Sequence, residues 1–281
     1  MLAGLDALVF DVQDAGVRFY TYVTTMAYAM EAAAARGLPF YVLDRPNPIG
    51  ADAVQGPVLE DDLRSFAGYF RLPVRYGMTI GELATLLNAE NAIGADLHVI
   101  PMRGYARTQW YDQTGLPWVA PSPNLRSLPQ AALYPGVALL EGANVSVGRG
   151  TDTPFEVVGA PWIDGVALAA RLNARALPGV RFAATTFVPS QAPYHGRRCG
   201  GVRIALVDRV ELDAPAVGIE IASALERLYP KTFGLDATVG MIGARWVVAA
   251  LKRGDDPRQI AERWQPELQA FAAVRRRFLL Y

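Results

Sequence analysis

The sequence predicts a two-part α/β protein: an N-terminal parallel-sheet domain over residues 1–160 and a smaller C-terminal α+β domain over 161–281. Three observations carry this. Strand and helix signals alternate through the first hundred residues. A long aromatic and Gly/Pro-rich middle separates them from the rest. The last third mixes two alternating strands with amphipathic helices. The 281 residues are 52% hydrophobic and 19% charged, enough for a large buried core and incompatible with a disordered chain.

Residues 7–12 (ALVFDV) form the first short apolar run, followed at once by Gln13 and Asp14. Residues 23–36, rich in Ala and Met, read as a helix that Gly37 stops as a C-cap. Residues 39–43 (PFYVL) are a second strand, closed by Asp44-Arg45-Pro46-Asn47-Pro48. Strand, helix and strand in this spacing make a βαβ unit, so the strands are expected to be parallel with a right-handed crossover. Residues 79–88 read as a helix with Thr79 as N-cap and Glu82 as its capping-box partner. Residues 96–101 (DLHVIP) are the third strand.

Residues 102–162 are too apolar and aromatic for a linker and read as long ordered loops over a site, with a short helix or strand within 133–140. Beyond them, 180–188 and 201–207 alternate as half-buried strands, and 214–228 is a helix ended by Tyr229-Pro230. Asp256-Pro257 opens a final helix reaching about Phe278, with Ile260, Trp264, Leu268 and Phe271 on one face.

Composition excludes several functions. Net charge is zero, with no basic stripe for nucleic acid. One cysteine permits no intramolecular disulfide, and His98 and His195 alone cannot build a multi-histidine metal site. No apolar run is long enough to span a membrane, and no signal peptide is recognisable at the start. No glycine-rich dinucleotide or phosphate fingerprint is present. Hydrolytic chemistry is therefore expected to rest on carboxylates.

Ligands bind beyond the carboxyl ends of parallel strands. That rule selects Asp11, Gln13, Asp14, Arg18, Tyr20 and Tyr22 after the first strand, and Asp44, Arg45 and Asn47 after the second. Turn and cap chemistry is the alternative for the Asp and Asn residues. A second constellation runs from Glu141 to Asp152, where Asn144, Arg149 and Thr151 offer hydrogen bonds from a glycine-rich loop. Glu141 reads either as a buried carboxylate with a raised pKa, suited to acid catalysis, or as a paired structural acid. Tyr76, Trp110, Tyr111, Trp118 and Trp162 form an aromatic set that either stacks on sugar or fills loop cores. Arg18, Arg45, Arg75 and Arg149 are candidates to grip a substrate carboxylate. A Cys199–His195 nucleophile pair is the weakest candidate, since a turn into the next strand explains the same residues.

Several long motifs in order resemble the exo-β-N-acetylmuramidase (NamZ-type) family, formerly a domain of unknown function. They include GLDALVFDVQDAGVRFYTYVTTMAYAMEAA, FYVLDRPNPIGADAVQGPVLE, PVRYGMTIGELATLLN, PSPNLRSL, YPGVALLEGANVSVGRGTDTPFEVVGAPW and CGGVRIALVDR. The resemblance spans the whole chain. It implies a Rossmann-like domain and a smaller α/β domain with the site in a cleft between them. It implies hydrolysis of the β-linkage of non-reducing terminal N-acetylmuramic acid in peptidoglycan fragments, with no cofactor. Residues matching its motifs are Asp11, Gln13, Asp14, Arg18, Tyr20, Asp44, Arg45, Asn47, Arg75, Glu82, Asn124, Glu141, Asn144, Arg149 and Thr151. Asp14 and Glu141 are expected to be the catalytic carboxylates, with Asp11 in reserve. Arg18 and Arg149 are expected to hold the lactyl carboxylate.

The resemblance also implies a further N-terminal segment carrying a Gly-Pro-Glu-His-Gly-like motif whose Glu leads the family's catalytic candidates. No such motif occurs in this sequence. The expectation is a sheet left partly open, with lower stability or homo-oligomerisation through that face. The alternative function is a muramyl-sugar-binding protein that does not hydrolyse. The resemblance implies that family members are often exported, periplasmic or extracellular, while no signal peptide is recognisable in this sequence, which assigns no compartment.

Overall fold

The computed structural model describes residues 2–281. A three-stranded parallel sheet opens the chain: β1 (Leu8–Phe10), β2 (Phe40–Leu43) and β5 (Leu97–Ile100), in the order β1-β2-β5. Helix α1 (Tyr22–Ala34) connects β1 to β2, so the predicted βαβ unit is present with Leu8 opposite Phe40. Between β2 and β5 the chain inserts an antiparallel pair, β3 (Gln55–Val58) and β4 (Pro73–Arg75), and then α2 (Ile80–Glu90).

Helix α2 starts as its sequence dictates. Thr79 accepts from the Glu82 backbone, and the Glu82 carboxylate accepts from the Thr79 backbone, completing the capping box. The box lies deep, because Thr79 and Glu82 are both fully buried. Helices α1 and α2 pack on each other and on one face of the sheet, burying Phe10, Phe40 and Val42 with Met26, Met30 and Leu83. The opposite face alternates outward, as the period of a strand requires. It carries Val9 at 62% exposure, Tyr41 stacked on His98, and Ile100 at 48%.

The middle segment holds little regular structure until α3 (Leu128–Val137) and the 3-10 turn Ala138–Leu140. A second sheet follows, antiparallel, in the order β6-β8-β7: β6 (Val157–Ala160), β7 (Val180–Phe187) and β8 (Cys199–Leu206). Helices α4 (Gly165–Asn173) and α5 (Ala214–Leu228) pack with it. Helix α3 crosses α5 at near-backbone contact. A Cβ on Gly136 would stand 1.9 Å from the Ala214 carbonyl oxygen, and one on Gly218 would stand 2.2 Å from that of Gly136. Only glycine permits that approach.

Four further helices complete the chain: α6 (Val239–Ile242), α7 (Arg245–Arg253), α8 (Pro257–Arg263) and α9 (Gln265–Arg275). The single final helix expected from sequence is therefore two. Pro266 lacks the N–H that a continuous helix needs, so a new helix starts at Gln265, with the proline in its first turn. The apolar face survives the break: Ile260 and Trp264 are fully buried, and Leu268 nearly so. The larger core joins these helices to residues of the first half, including Val17, Phe19, Ile49, Val58 and Val74. No described helix is long and apolar enough to cross a membrane.

Candidate active site

The parallel strands β1, β2 and β5 end beside one another, and their carboxyl ends line a cleft of about 410 Å3. Asp11 comes from the end of β1, Asp44, Arg45 and Pro46 from that of β2, and Met102 to Tyr105 from that of β5. The two predicted clusters meet here. Arg45 Nε donates to Asp11 Oδ1 at 2.7 Å in a half-exposed ion pair. Arg103 is exposed on the same wall and forms no ion pair among the described residues.

Gln13 and Asp14 continue the loop behind Asp11. Gln13 Nε2 donates to the carbonyls of Asp14 and Pro46, each at 2.9 Å, and its Oε1 has no partner. Asp14 is 3% exposed. Its Oδ2 accepts from Gly16 N at 2.8 Å and from the Tyr76 hydroxyl, while Oδ1 is buried without a partner. Burial raises its pKa to about 6, against the opposing pull of the Tyr76 and Gly16 hydrogen bonds. The turn depends on Gly16, which has φ +77° and packs on the Asn47 side chain.

Tyr20 anchors the next residues, its hydroxyl donating to the Pro121 carbonyl at 2.6 Å and its ring meeting the half-exposed Tyr22 at 5.0 Å. Tyr134, on α3, was not singled out in the sequence, where it reads as core. It is nearly buried within an aromatic box, 5.3 Å from Phe19, 6.4 Å from Tyr20 and 4.7 Å from Phe155. Its hydroxyl makes no hydrogen bond among the described residues. Burial first, then the Glu141 charge, raises its pKa, so it is a neutral donor at ordinary pH. Arg149 lies over the other side of Phe155 at 5.0 Å and grips Glu141 with two nitrogens, Nη2 to Oε2 at 3.2 Å. Glu141 is thus the paired acid of the two sequence readings, and not an isolated buried one. Arg149 keeps Nη1 free of protein partners among the described residues.

Several expected substrate contacts are corrected. Arg18 reaches no cleft. It is buried, and its guanidinium donates to the carbonyls of Pro57, Leu72, Met241 and Ile242 at 2.8–3.0 Å. Burial without an acidic partner lowers its pKa to about 9. Asn47 is buried and ties the Met78 carbonyl to the Ile49 N–H. Asp44 touches the cleft but is saturated by Gly81 N, the Thr79 and Tyr281 hydroxyls and Arg45 N, at 2.7–3.0 Å. Burial nevertheless raises its pKa. Asn144 clamps Thr232 to Gly234, and Thr151 closes its own turn on the Gly148 carbonyl.

Arg75 bonds Gln55 and the Ile49 carbonyl and faces a separate cavity, where Trp110 lies between it and Arg209. Asn124 remains part-exposed on the loop before α3. Cys199 is a buried thiol whose pKa burial raises, the opposite of an activated nucleophile. Among the described residues no group of three His, Cys, Asp or Glu side chains gathers to hold a metal.

The arrangement offers a buried proton-holding carboxyl, Asp14, and, at the polar cleft, the exposed Asp11 carboxylate, the Arg103 guanidinium, unpaired among the described residues, and the Tyr105 ring. That is a donor set for sugar hydrolysis. Residues 1–129 match the family described as exo-beta-N-acetylmuramidase NamZ, N-terminal, and residues 132–281 match its C-terminal counterpart. The chain is 43% identical over 284 aligned positions to the peptidoglycan beta-N-acetylmuramidase NamZ of Bacillus subtilis (strain 168), covering all of this chain and 69% of that protein. A crystal structure of a DUF1343 family protein from Bacteroides fragilis superposes with a TM-score of 0.92 at 32% identity, over 100% of this chain and 76% of that one. A second such protein from that organism gives 0.82 at 30% identity, over 98% and 75%. With both family regions matched end to end, the chain belongs to the NamZ exo-β-N-acetylmuramidase family.

Proposed function

We propose that this protein hydrolyses the β-glycosidic bond of a non-reducing terminal N-acetylmuramic acid in peptidoglycan fragments. Identity of 43% over the whole of this chain, and 69% of the relative's length, to a peptidoglycan β-N-acetylmuramidase carries the reading of the reaction. The assignment of roles rests on the geometry. Asp14, with its pKa near 6 and Oδ1 free, holds the proton for the departing oxygen. Asp11 lines the cleft and supplies the second carboxylate that glycoside hydrolysis needs. Arg103 and Arg45 face the lactyl carboxylate in place of the buried Arg18. Tyr134 lies near enough to Asp14 and Glu141 for their charges to act on it, and its neutral phenol can donate to charge developing on the sugar.

The test is direct. A chromogenic β-N-acetylmuramide and the peptide-free disaccharide N-acetylmuramyl-N-acetylglucosamine are incubated with the protein. Chromophore and free N-acetylmuramic acid are expected. Binding of the disaccharide without release of either would mean a sugar-binding protein and overturn the proposal.

A further inference from the structure

The segment 102–128 walls a second cleft, and the function proposed above does not use it. Its volume is about 520 Å3, and Tyr111, Leu116, Trp118 and Arg126 line it. Leu116 also lines the cleft at the strand ends, so the two clefts border the same side chain. The walls have the chemistry of a sugar site. Trp118 and Tyr111 meet edge to face at 5.1 Å, and Leu116 is half exposed beside them. Such surfaces suit the apolar face of a pyranose ring. The Trp118 indole nitrogen is shielded from solvent and has no protein acceptor.

The charges are arranged to receive an anion. Asp112 is neutralised by Arg209 at 2.7 Å. Arg126 Nε donates to the Pro123 carbonyl at 2.9 Å, which aims the side chain, and its one ion-pair contact is a long 3.8 Å approach of Nη1 to the fully exposed Asp152, so Nη2 is left for an anion. The same loop is tied to the segment that follows Asp14, because the Tyr20 hydroxyl donates to the Pro121 carbonyl.

We propose that this second cleft binds the part of the glycan beyond the scissile bond. Trp118 and Leu116 carry an N-acetylhexosamine ring, and Arg126 pairs with the lactyl carboxylate of the next muramic acid. The inference rests on the reaction proposed above and adds to it a preference for longer chains.

Comparing kcat/KM on the peptide-free disaccharide and on the trisaccharide that adds a second N-acetylmuramic acid tests it. The trisaccharide should be better by about tenfold, the range that a few added pocket contacts supply. Trp118→Ala and Arg126→Ala should each lower kcat/KM several-fold more on the trisaccharide than on the chromogenic monosaccharide. Converting the second lactyl carboxylate to its amide should reproduce the Arg126→Ala effect on the parent protein. Arg126 is exposed, so its variant keeps the test readable if Trp118→Ala folds poorly. Equal kcat/KM on both oligosaccharides, or equal losses on all substrates, would overturn the second cleft and leave the hydrolase reading standing. Absence of hydrolysis on every substrate would overturn both.

Discussion

Asp14→Asn is expected to remove most turnover while making the protein more stable at neutral and alkaline pH. Both effects come from one buried carboxyl. Replacing a positioned proton donor costs about 10^2–10^4 in kcat, read on the chromogenic muramide. The stability effect follows from linkage. Asp14 has its pKa raised from 3.8 to about 6 in the folded protein. The raised value favours folding while the group is protonated, fully so below about pH 3.8, and that contribution is lost as pH rises through 6. At about 1.4 kcal/mol per pKa unit, the ionised carboxylate opposes folding by about 3 kcal/mol above that point.

Asparagine does not titrate and can still accept one of the hydrogen bonds from Gly16 or Tyr76. The Asn variant should therefore gain on the parent between pH 4 and 6 and hold its advantage above. Urea unfolding across pH 4–8 measures the difference. In the parent, kcat should fall as pH rises through about 6, because only the protonated acid donates. A variant that stays active, or a stability difference that shrinks with rising pH, would reject the assignment of Asp14.

Arg18→Met should be the most destabilising single change in the N-terminal half. Methionine approximates the stem but removes the donor to the carbonyls of Pro57, Leu72, Met241 and Ile242, of which Leu72 keeps a second donor in Leu59 N. Each carbonyl left without a donor costs roughly 1–3 kcal/mol, and partial relaxation brings the total to about 4 kcal/mol. Arg18→Lys keeps a charge and one donor head but cannot span four acceptors, so it should recover only part of the loss. Urea midpoints at unchanged slope measure this. A loss below about 1 kcal/mol for Arg18→Met would show that the four bonds are replaceable by water. Arg18 lines neither cleft, so the residual folded protein should keep its KM.

The elements legible in the sequence are those with local causes. Helix α2 announces itself through Thr79 and Glu82 three residues on, and both bonds of the box are present. Helix α5 begins at Asp213-Ala214-Pro215, where the Asp213 side chain accepts from Ala216 N, and it covers the expected 214–228. Strands β3 and β6 were not legible. The first reads Gln-Gly-Pro-Val and the second Val-Val-Gly-Ala, short segments whose Gly and Pro argue for turns. The pairing of β6 is set by a partner far along the chain, since Val157 opposes Arg203, and that of β3 by β4 across an irregular insert, with Gln55 opposite Arg75.

The site divides in the same way. Placing Asp11 and Arg45 at one sheet edge needed only parallel strands and the carboxyl-end rule. The burial of Arg18 could not be read, because its acceptors lie 39 to 224 residues away. Tyr134 looked like any helical core aromatic. Only its neighbours Phe19, Tyr20 and Phe155, from two other segments, make it a candidate.

The cleft at the strand ends is also closed by the far end of the chain. The Tyr281 hydroxyl donates to Asp44 Oδ2 and accepts from Met102 N, Arg107 Nε donates to the Tyr281 carbonyl, and Leu280 N donates to Glu82. Asp44 and Tyr281 are 237 residues apart. Loops of that length form slowly, because the chain entropy of closing them is lost before the contact returns anything. The neighbourhood of the cleft is thus assembled from contacts of very high sequence separation. During folding, the β1–α1–β2 unit can form early from local contacts, while the cleft it bears waits for the final residues to arrive. Completion of the cleft thus depends on Leu280 and Tyr281 docking beside the first sheet, through one side-chain hydroxyl and two backbone groups.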